Sequence, residues 1–347
     1  MENRHLNFST EKLRYKGIVG TGGIGSGQFF MLNGNHTLGR EESREGHFLD
    51  KRDYCKQHII LYYLHKLLSP SFSVIPVGRL GDDDTGRLLY EEMRKDGFNM
   101  KYIEKVPGVS TLFSFCFIYP DGSGGNLTTD DSASSGVNAE FIERAREEIK
   151  KLGSKGIVMA APEVPVEGRK KLLELGKEYG SFCAASFTSG EIKKAIDEKI
   201  MNYVDLLSIN LDEAAAAATL IPGIDHEEIV KSVIRLLNRS NNNIMIAVTE
   251  GINGSWCWDG RELHRFPAVK TRVMGTTGAG DAFFSGLLTG ITLGLPLFEA
   301  QQFATLLAGL SVTSPDTINK NVDRLTLKAF LENSGMRFCE TIYSLLD

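Results

Sequence analysis

The residues best suited to chemistry lie in a glycine-rich segment directly before a predicted helix. The segment spans residues 275–281, reads GTTGAGD and follows an alternating stretch at residues 268–273. Its small residues leave several backbone N–H groups exposed at the positive end of the helix, where a phosphate or a developing negative charge can bind. Asp281 lies in the first helical turn and could take a proton from a hydroxyl that attacks this phosphate. Spacing alone equally allows a structural role, in which Asp281 caps the helix and the glycines permit close packing.

The segments that must position this motif alternate between short apolar runs and amphipathic stretches. Apolar side chains share one helical face in residues 141–152 and again in residues 227–237. Short runs rich in β-branched residues are typical of buried parallel strands, and their alternation with helices predicts a mostly parallel sheet covered on both faces. The predicted strands are residues 17–20, 72–77, 157–161, 181–187, 204–209 and 244–249.

Two stretches interrupt this alternation. Residues 28–50 are polar and contain the charge run EESRE, whereas residues 112–119 read as a strand followed by the turn-rich sequence PDGSGGN. Together they predict a small antiparallel flap beside the main sheet; a long mobile loop over residues 28–50 is the alternative. Because no internal repeat or linker divides the chain, we expect a single α/β domain over residues 1–347, with a small lid formed from about 28–50 and 108–130.

Two other motifs invite a functional interpretation. Residues 20–25 satisfy G-x-G-x-x-G after the first predicted strand, but no helical pattern follows, as a dinucleotide site would require. We expect this run to begin a substrate cleft. The acidic run at residues 82–84 precedes a predicted helix and is expected to cap it rather than to bind a cation.

Composition excludes several classes of protein. The 347 residues include 39 lysines and arginines and 44 aspartates and glutamates, and a formal net charge of −5 argues against a nucleic-acid partner. The five cysteines are widely separated and form no C-x-x-C pair, which indicates free thiols in a reducing cytoplasm. The first ten residues lack the apolar core of a signal peptide, and the longest apolar run, residues 282–298, is too short and too interrupted for a membrane span.

The motifs together resemble a known family. The segment GTTGAGD is similar to the D-T-x-G-A-G-D signature of the ribokinase, or PfkB-type, carbohydrate kinases. Residues 78–86 match the family's G-x-V-G-x-D-x-x-G, residues 204–213 its V-D-x-x-x-x-N-x-x-E, and residues 249–254 its T-x-G-x-x-G. Four motifs in family order are a far more specific signal than one. The resemblance implies a ribokinase-like three-layer α/β sandwich with a mostly parallel central sheet and a small β lid, in agreement with the pattern of elements.

The resemblance also implies ATP-dependent phosphorylation of a hydroxyl on a sugar or sugar-like small molecule. Asp281 would act as the general base that deprotonates this hydroxyl. The N–H groups of Gly278, Ala279 and Gly280 would form an anion hole for the transferring γ-phosphoryl group, in a reaction where positioning and electrostatics do most of the work.

The cofactors implied by the resemblance are ATP and Mg²⁺. Asn210 and Glu213 would organise the ion and the phosphates through water, since Mg²⁺ keeps much of its hydration. Taken without the other motifs, this pair reads as a helix cap with an acidic first turn. The residues implied to shape the nucleotide pocket are Thr249, Gly251, Gly254 and Thr277.

Several positions depart from the family pattern. Gly275 replaces the first aspartate of the signature, which lies near a monovalent-cation site in some members. Gly25 stands about where an aspartate clasps sugar hydroxyls, and residues 51–58 replace a G-G-x-G-x-N pattern. Thr305 stands where an asparagine beside adenine is usual. The phosphoryl-transfer half therefore matches the family, whereas the acceptor half differs from it.

These departures leave two alternative functions open. One is a ligand-binding or regulatory protein on the kinase scaffold, because a fold alone does not settle a function. The other is a kinase of a non-sugar hydroxymethyl compound. The partners we expect are the small-molecule substrate and, since family members often pair through their lids, a second copy of the chain; no nucleic-acid or membrane partner is expected.

Overall fold

The strands of the protein form two separate sheets. The computed structural model describes residues 4–220 and 224–347, and all element bounds below refer to these ranges. The strands are β1 (Gly17–Thr21), β2 (Gly25–Leu32), β3 (Gly46–Tyr54), β4 (Ser73–Gly81), β5 (Tyr102–Val106), β6 (Leu112–Ile118), β7 (Gly124–Thr128), β8 (Gly156–Ala160), β9 (Phe182–Ala185), β10 (Leu206–Asn210), β11 (Met245–Thr249), β12 (Ser255–Trp258) and β13 (Leu263–Phe266).

The larger sheet has nine strands in the order β13-β12-β11-β10-β9-β8-β1-β4-β5. Every neighbouring pair from β11 to β5 is parallel, whereas β12 and β13 are antiparallel additions at one edge. Each predicted strand corresponds to an observed one with shifts of a few residues at its ends. The predicted mostly parallel sheet is confirmed.

Alternate residues of the central strands face two different apolar cores. In β8, Ile157 and Met159 belong to one core and Val158 and Ala160 to the other, and all four are fully buried. Strands that are apolar on both faces need helices on both faces, because neither side can be left to water. The result is the expected arrangement of a sheet between two helical layers.

Helices close both cores. No helix of the described ranges combines the length and the apolarity that crossing a bilayer requires.

The helix predicted at residues 141–152 is two helices, because the amides of Arg144 and Ala145 donate to carbonyls three residues back and tighten the turn. The helices are α1 (Lys56–Leu68), α2 (Asp84–Lys95), α3 (Ala139–Glu143), α4 (Arg146–Leu152), α5 (Val166–Glu178), α6 (Ile192–Asp197), α7 (Leu211–Ala217), α8 (His226–Asn238), α9 (Ala279–Thr292), α10 (Leu297–Ser311), α11 (Arg324–Asn333) and α12 (Glu340–Leu346).

The smaller sheet, called the lid sheet below, has the strand order β3-β2-β6-β7. Its outer pairs are antiparallel, but β2 and β6 are parallel, so the expectation of a purely antiparallel flap is wrong at the central pair. A parallel pair requires a long crossover, and here the chain passes through α1, β4, α2 and β5 before it returns to the lid sheet. Residues 28–32 and 46–50 are therefore strand rather than loop.

Two of the sequence motifs have structural roles. The glycine run at residues 20–25 is a turn between β1 and β2, with no helix after it, so it lacks the helix of a dinucleotide site. Asp83 caps α2, because its Oδ1 accepts the Gly86 amide at 2.7 Å.

Candidate active site

A cleft of about 610 Å³ lies where β10 and β11 end and α9 begins. The carboxyl edge of a parallel sheet is the usual ligand-binding edge of an α/β fold. The structure brings nearly all of the predicted site residues to this cleft; Thr277 is exposed and its neighbour Thr276 lines the wall instead. The predicted residues that line it are Asn210, Glu213, Thr249, Gly251, Gly254, Gly278, Ala279, Gly280 and Asp281.

The amino-terminal end of α9 presents backbone N–H groups to the cleft. Gly278 is its cap residue and has a φ of 83°. The Ala279 amide donates to the Thr276 carbonyl at 3.2 Å, whereas those of Gly278 and Gly280 donate to no acceptor among the described residues. No atom lies within 4 Å of the position that a Cβ on Gly280 would occupy. The two free amides are therefore open to an anion, with the helix dipole behind them.

Replacing Gly278 with alanine is expected to destabilise the protein by about 1–3 kcal/mol, because the residue has positive φ and its Cβ would lie 2.6 Å from the Thr317 carbonyl oxygen. Chemical denaturation followed by circular dichroism measures the change. The matched control is Gly280→Ala, which places a methyl in open space on a helix and should be neutral or stabilising. Equal stability of the two variants would contradict this account of Gly278.

Asp281 and Lys56 form an ion pair at the floor of the cleft. The Nζ of Lys56, the first residue of α1, lies 3.8 Å from Oδ2 of Asp281. Burial raises the pKa of the Asp281 carboxyl above its usual value, and the positive charge of Lys56 acts against this rise. In turn, the negative charge of Asp281 is the main reason that the pKa of Lys56 is raised. Lys56 therefore keeps a proton and favours the ionised form of Asp281.

Further carboxyl groups surround this pair. Oε2 of Glu163 accepts the Lys56 amide at 3.2 Å and so satisfies a free N–H at the start of α1. Burial raises the pKa of Glu163 to about 7, that of Glu213 to about 7 and that of Asp53 to about 6. In each case the charge of Lys56 opposes the effect of burial. The ammonium group of Lys56 therefore lowers the pKa of four carboxyl groups, those of Asp53, Glu163, Glu213 and Asp281.

Asn210 and Glu213 cap α7 reciprocally. Oδ1 of Asn210 accepts the Glu213 amide at 2.8 Å, and Oε2 of Glu213 accepts the Asn210 amide at 2.8 Å. This is the structural role that the pair suggests on its own, and it leaves Oε1 of Glu213 without a partner in the described chain. The described residues contain no group of three His, Cys, Asp or Glu side chains that could hold a metal ion. A single free carboxylate oxygen suits a hydrated Mg²⁺ bound to phosphates, not a cage made of protein ligands.

Glu250 follows Thr249 on the nucleotide side of the predicted site. Its Oε2 accepts the indole N–H of Trp256 at 2.8 Å, and its Oε1 lies 2.6 Å from Nδ1 of His226. These contacts hold the wall of the cleft where β11 ends. Thr249 lines the same cleft, and its hydroxyl has no hydrogen-bond partner among the described residues.

Two positions that depart from the family pattern are Gly275, which precedes the lining residue Thr276, and Thr305, which itself lines the cleft. The Gly275 amide lies 3.4 Å from the Val312 carbonyl oxygen, and the residue has no side chain to offer a cation. Thr305 lines the cleft, but its hydroxyl donates to the Gln301 carbonyl at 2.9 Å within α10. Neither position supplies the side-chain group that the family pattern has there.

Sequence reasoning assigned no role to Lys56, Asp53 or Glu163. Glu163 follows β8 by three residues, and a polar side chain at the carboxyl end of a parallel strand is a signal that could have found it. Lys56 and Asp53 lie within the segment noted only for replacing a family pattern. Their position beside Asp281 depends on how β3 and α1 pack, which no local motif encodes.

Known proteins share both the sequence pattern and the fold. A model of the pfkB family carbohydrate kinases matches residues 61–324. A deoxyribokinase of Salmonella typhi is 26% identical over 245 residues, which cover 70% of this chain and 77% of that protein. The crystal structure of ribokinase from Cryptococcus neoformans var. grubii in complex with ADP has a TM-score of 0.73, 18% identity and coverage of 92% and 99% of the two chains. The structure of Burkholderia thailandensis nucleoside kinase in complex with inosine has a TM-score of 0.71, 19% identity and coverage of 92% and 98%.

The structural likenesses confirm the predicted ribokinase-like fold. The family match covers about three-quarters of the chain and includes all four motifs on which the resemblance depends. The chain therefore belongs to the pfkB family of carbohydrate kinases.

Proposed function

We propose that the protein transfers the γ-phosphoryl group of ATP to a hydroxyl of a sugar-like or nucleoside-like small molecule, with Asp281 as the general base. The observation that carries this proposal is the largely buried Asp281 carboxyl in the same first turn of α9 as the free amides of Gly278 and Gly280, at the edge of a cleft large enough for a nucleotide. The ribokinase–ADP complex and the nucleoside kinase–inosine complex support the two substrate classes.

The residues suit one in-line displacement. The acceptor oxygen forms a bond to the γ-phosphorus while the bond from this phosphorus to the bridging oxygen of ADP breaks, and the hydroxyl proton passes to Asp281. The amides of Gly278 and Gly280 donate to the equatorial oxygens of the transferring group. Ala279 is left out of this role because its amide already donates to Thr276. Lys56 opposes the rise that burial causes in the pKa of Asp281 and so favours the ionised carboxylate that accepts the proton.

The nucleotide would lie along the wall formed by Thr249, Gly251 and Gly254. Mg²⁺ would be held through water by the free oxygen of Glu213, whose backbone is fixed by Asn210. The ion would neutralise part of the charge on the phosphates.

ADP release in a coupled assay with ATP and Mg²⁺ tests this function against a panel of acceptors. The panel contains D-ribose, 2-deoxy-D-ribose, D-fructose, inosine and a hydroxymethyl heterocycle such as pyridoxine. Turnover of a sugar or nucleoside supports the proposal, and turnover of the heterocycle alone would favour a non-sugar kinase. ATP or sugar binding by calorimetry without ADP from any acceptor would favour the ligand-binding alternative.

The outer face of the lid sheet supports a homodimer. The rings of Phe30, Phe48 and Phe115 pack together there, with centroids 5.1–6.4 Å apart, and the Phe48 and Leu127 side chains are 59% and 62% exposed. A contiguous exposed apolar face is typical of a protein interface.

A dimer mass is expected in light scattering at micromolar concentration, and Phe48→Asp should give a monomer because it places a charge in the apolar interface. The control is Leu88→Asp on α2, whose side chain is 52% exposed and lies outside the lid sheet, so this variant should remain a dimer. A monomeric wild type would refute the dimer.

A further inference from the structure

The end of β3 fastens the lid sheet to the anion site. The Thr317 amide donates to the Arg52 carbonyl at 3.1 Å, and the Tyr54 amide donates to the Thr317 hydroxyl at 2.8 Å. The Thr317 carbonyl packs against Gly278, the cap of α9. Asp53 is the residue between these two contacts, and as strand side chains alternate it points to the opposite face from Arg52 and Tyr54.

The Asp53 side chain lies in a buried space between β2 and β6 that a glycine on β2 leaves free. Asp53 is 6% exposed and lies opposite Gly27 in the register of β2 and β3. A Cβ on residue 27 would lie 2.3 Å from Oδ2 of Asp53, so only glycine leaves this space free. Its polar neighbours are Ser114 and the Cys116 thiol of β6, the latter with Sγ 3.7 Å from Oδ2.

No lysine, arginine or histidine of residues 4–220 and 224–347 lies within 4.0 Å of the Asp53 carboxyl. The nearest positive charge that acts on it is Lys56, which is already paired with Asp281. Burial of a carboxyl without an ion-pair partner is unfavourable for folding, and such groups cluster at functional sites. The Cys116 thiol is a weak donor to one oxygen of this carboxylate, and ligand hydroxyls would supply stronger hydrogen-bond donors for its remaining lone pairs.

We infer that Asp53 binds the acceptor by accepting hydrogen bonds from its hydroxyls, and that the acceptor is an uncharged, hydroxyl-rich molecule. This inference rests on the proposed function. The side chain comes from the lid strand β3, opposite a stretch of β2 in which Gly25 and Gly27 offer no side chain. Asp53 and Asp281, with the partly ionised Glu163 and Glu213, outweigh the single positive charge of Lys56, so a phosphorylated or carboxylated acceptor would be repelled.

Steady-state kinetics of Asp53→Asn with the best neutral acceptor of D-ribose, 2-deoxy-D-ribose, D-fructose and inosine test the inference. The KM for the acceptor is expected to rise by about tenfold or more, while the KM for ATP stays unchanged, because a neutral amide accepts hydrogen bonds more weakly than a carboxylate. The control is Asp50→Asn on the same strand, whose side chain is exposed. The melting temperature of Asp53→Asn should be no lower than that of the wild type, which separates lost binding from lost structure.

A second measurement compares neutral acceptors with D-ribose 5-phosphate, D-fructose 6-phosphate and D-gluconate. Turnover confined to these anions, or an Asp53→Asn variant that behaves like Asp50→Asn, would overturn the inference and leave the kinase function in place. Absence of ADP from every acceptor, or full activity of Asp281→Asn, would instead overturn the proposed function and this inference with it.

Discussion

Replacing Asp281 with asparagine is expected to lower kcat by about 10²–10⁴-fold, the usual contribution of a general base. Asparagine has nearly the same shape but cannot take the proton from the acceptor hydroxyl. The amides of Gly278 and Gly280 belong to the backbone and stay in place, so the affinity for ATP should persist. Single-turnover kinetics and nucleotide titration by calorimetry measure the two quantities separately.

The matched control for this variant is Asp84→Asn. Asp84 also lies in the first turn of a helix, but its side chain is fully exposed and, within residues 4–220 and 224–347, pairs only with Arg87. Its kcat should equal that of the wild type. If Asp281→Asn retains full activity, or loses ATP binding together with turnover, the assignment of Asp281 as the base is wrong.

Replacing Lys56 with methionine is expected to move the acidic limb of the pH–rate profile to higher pH. Burial raises the pKa of Asp281 and Lys56 opposes this rise, so removal of the ammonium raises this pKa further. At a fixed pH a smaller fraction of Asp281 is then ionised, and the rate falls. We expect a loss of about tenfold or more on the acidic limb of the wild-type profile that recovers as the pH rises.

Two further variants separate this effect from simple damage to the fold. Lys56→Arg keeps the positive charge and should keep the acidic limb near its wild-type position. Lys95→Met changes an exposed lysine at the end of α2 and should leave the profile unchanged. A loss in Lys56→Met that is the same at every pH would contradict control of Asp281 ionisation by Lys56.

The main sheet could be predicted from the sequence because each buried strand carries its own signal. Residues 156–160 are apolar without interruption, as a strand with a core on each face must be, and the helix after residue 278 is marked by glycines and a clear apolar stripe. The lid sheet was harder to predict. The parallel pairing of β2 with β6 joins segments some eighty residues apart, and nothing local in either strand specifies its partner.

The candidate site likewise contains residues that could be predicted from the sequence and residues that could not. Asp281, Gly278 and Gly280 lie within four consecutive positions, so their proximity could be predicted from the sequence alone. Lys56 and Asp53 reach the same place only because β3 and α1 dock beside α9, which is a property of tertiary packing. Buried carboxyl groups with raised pKa values are visible only when the surrounding atoms are known.

The short stretch of chain from Asp53 to Lys56 would couple two steps of the proposed reaction thermodynamically. Asp53 and Lys56 lie three positions apart on one stretch of chain, the first in the lid sheet and the second beside Asp281, the proposed base. If Asp53 binds the acceptor as inferred above, any displacement of β3 on binding would pass along this stretch to Lys56 and change the electric field at Asp281. Linkage is reciprocal, so whatever acceptor binding does to the proton affinity of Asp281, protonation of Asp281 does to the affinity for the acceptor. Under the proposed mechanism, recognition of the acceptor and the proton affinity of Asp281 would form one coupled equilibrium.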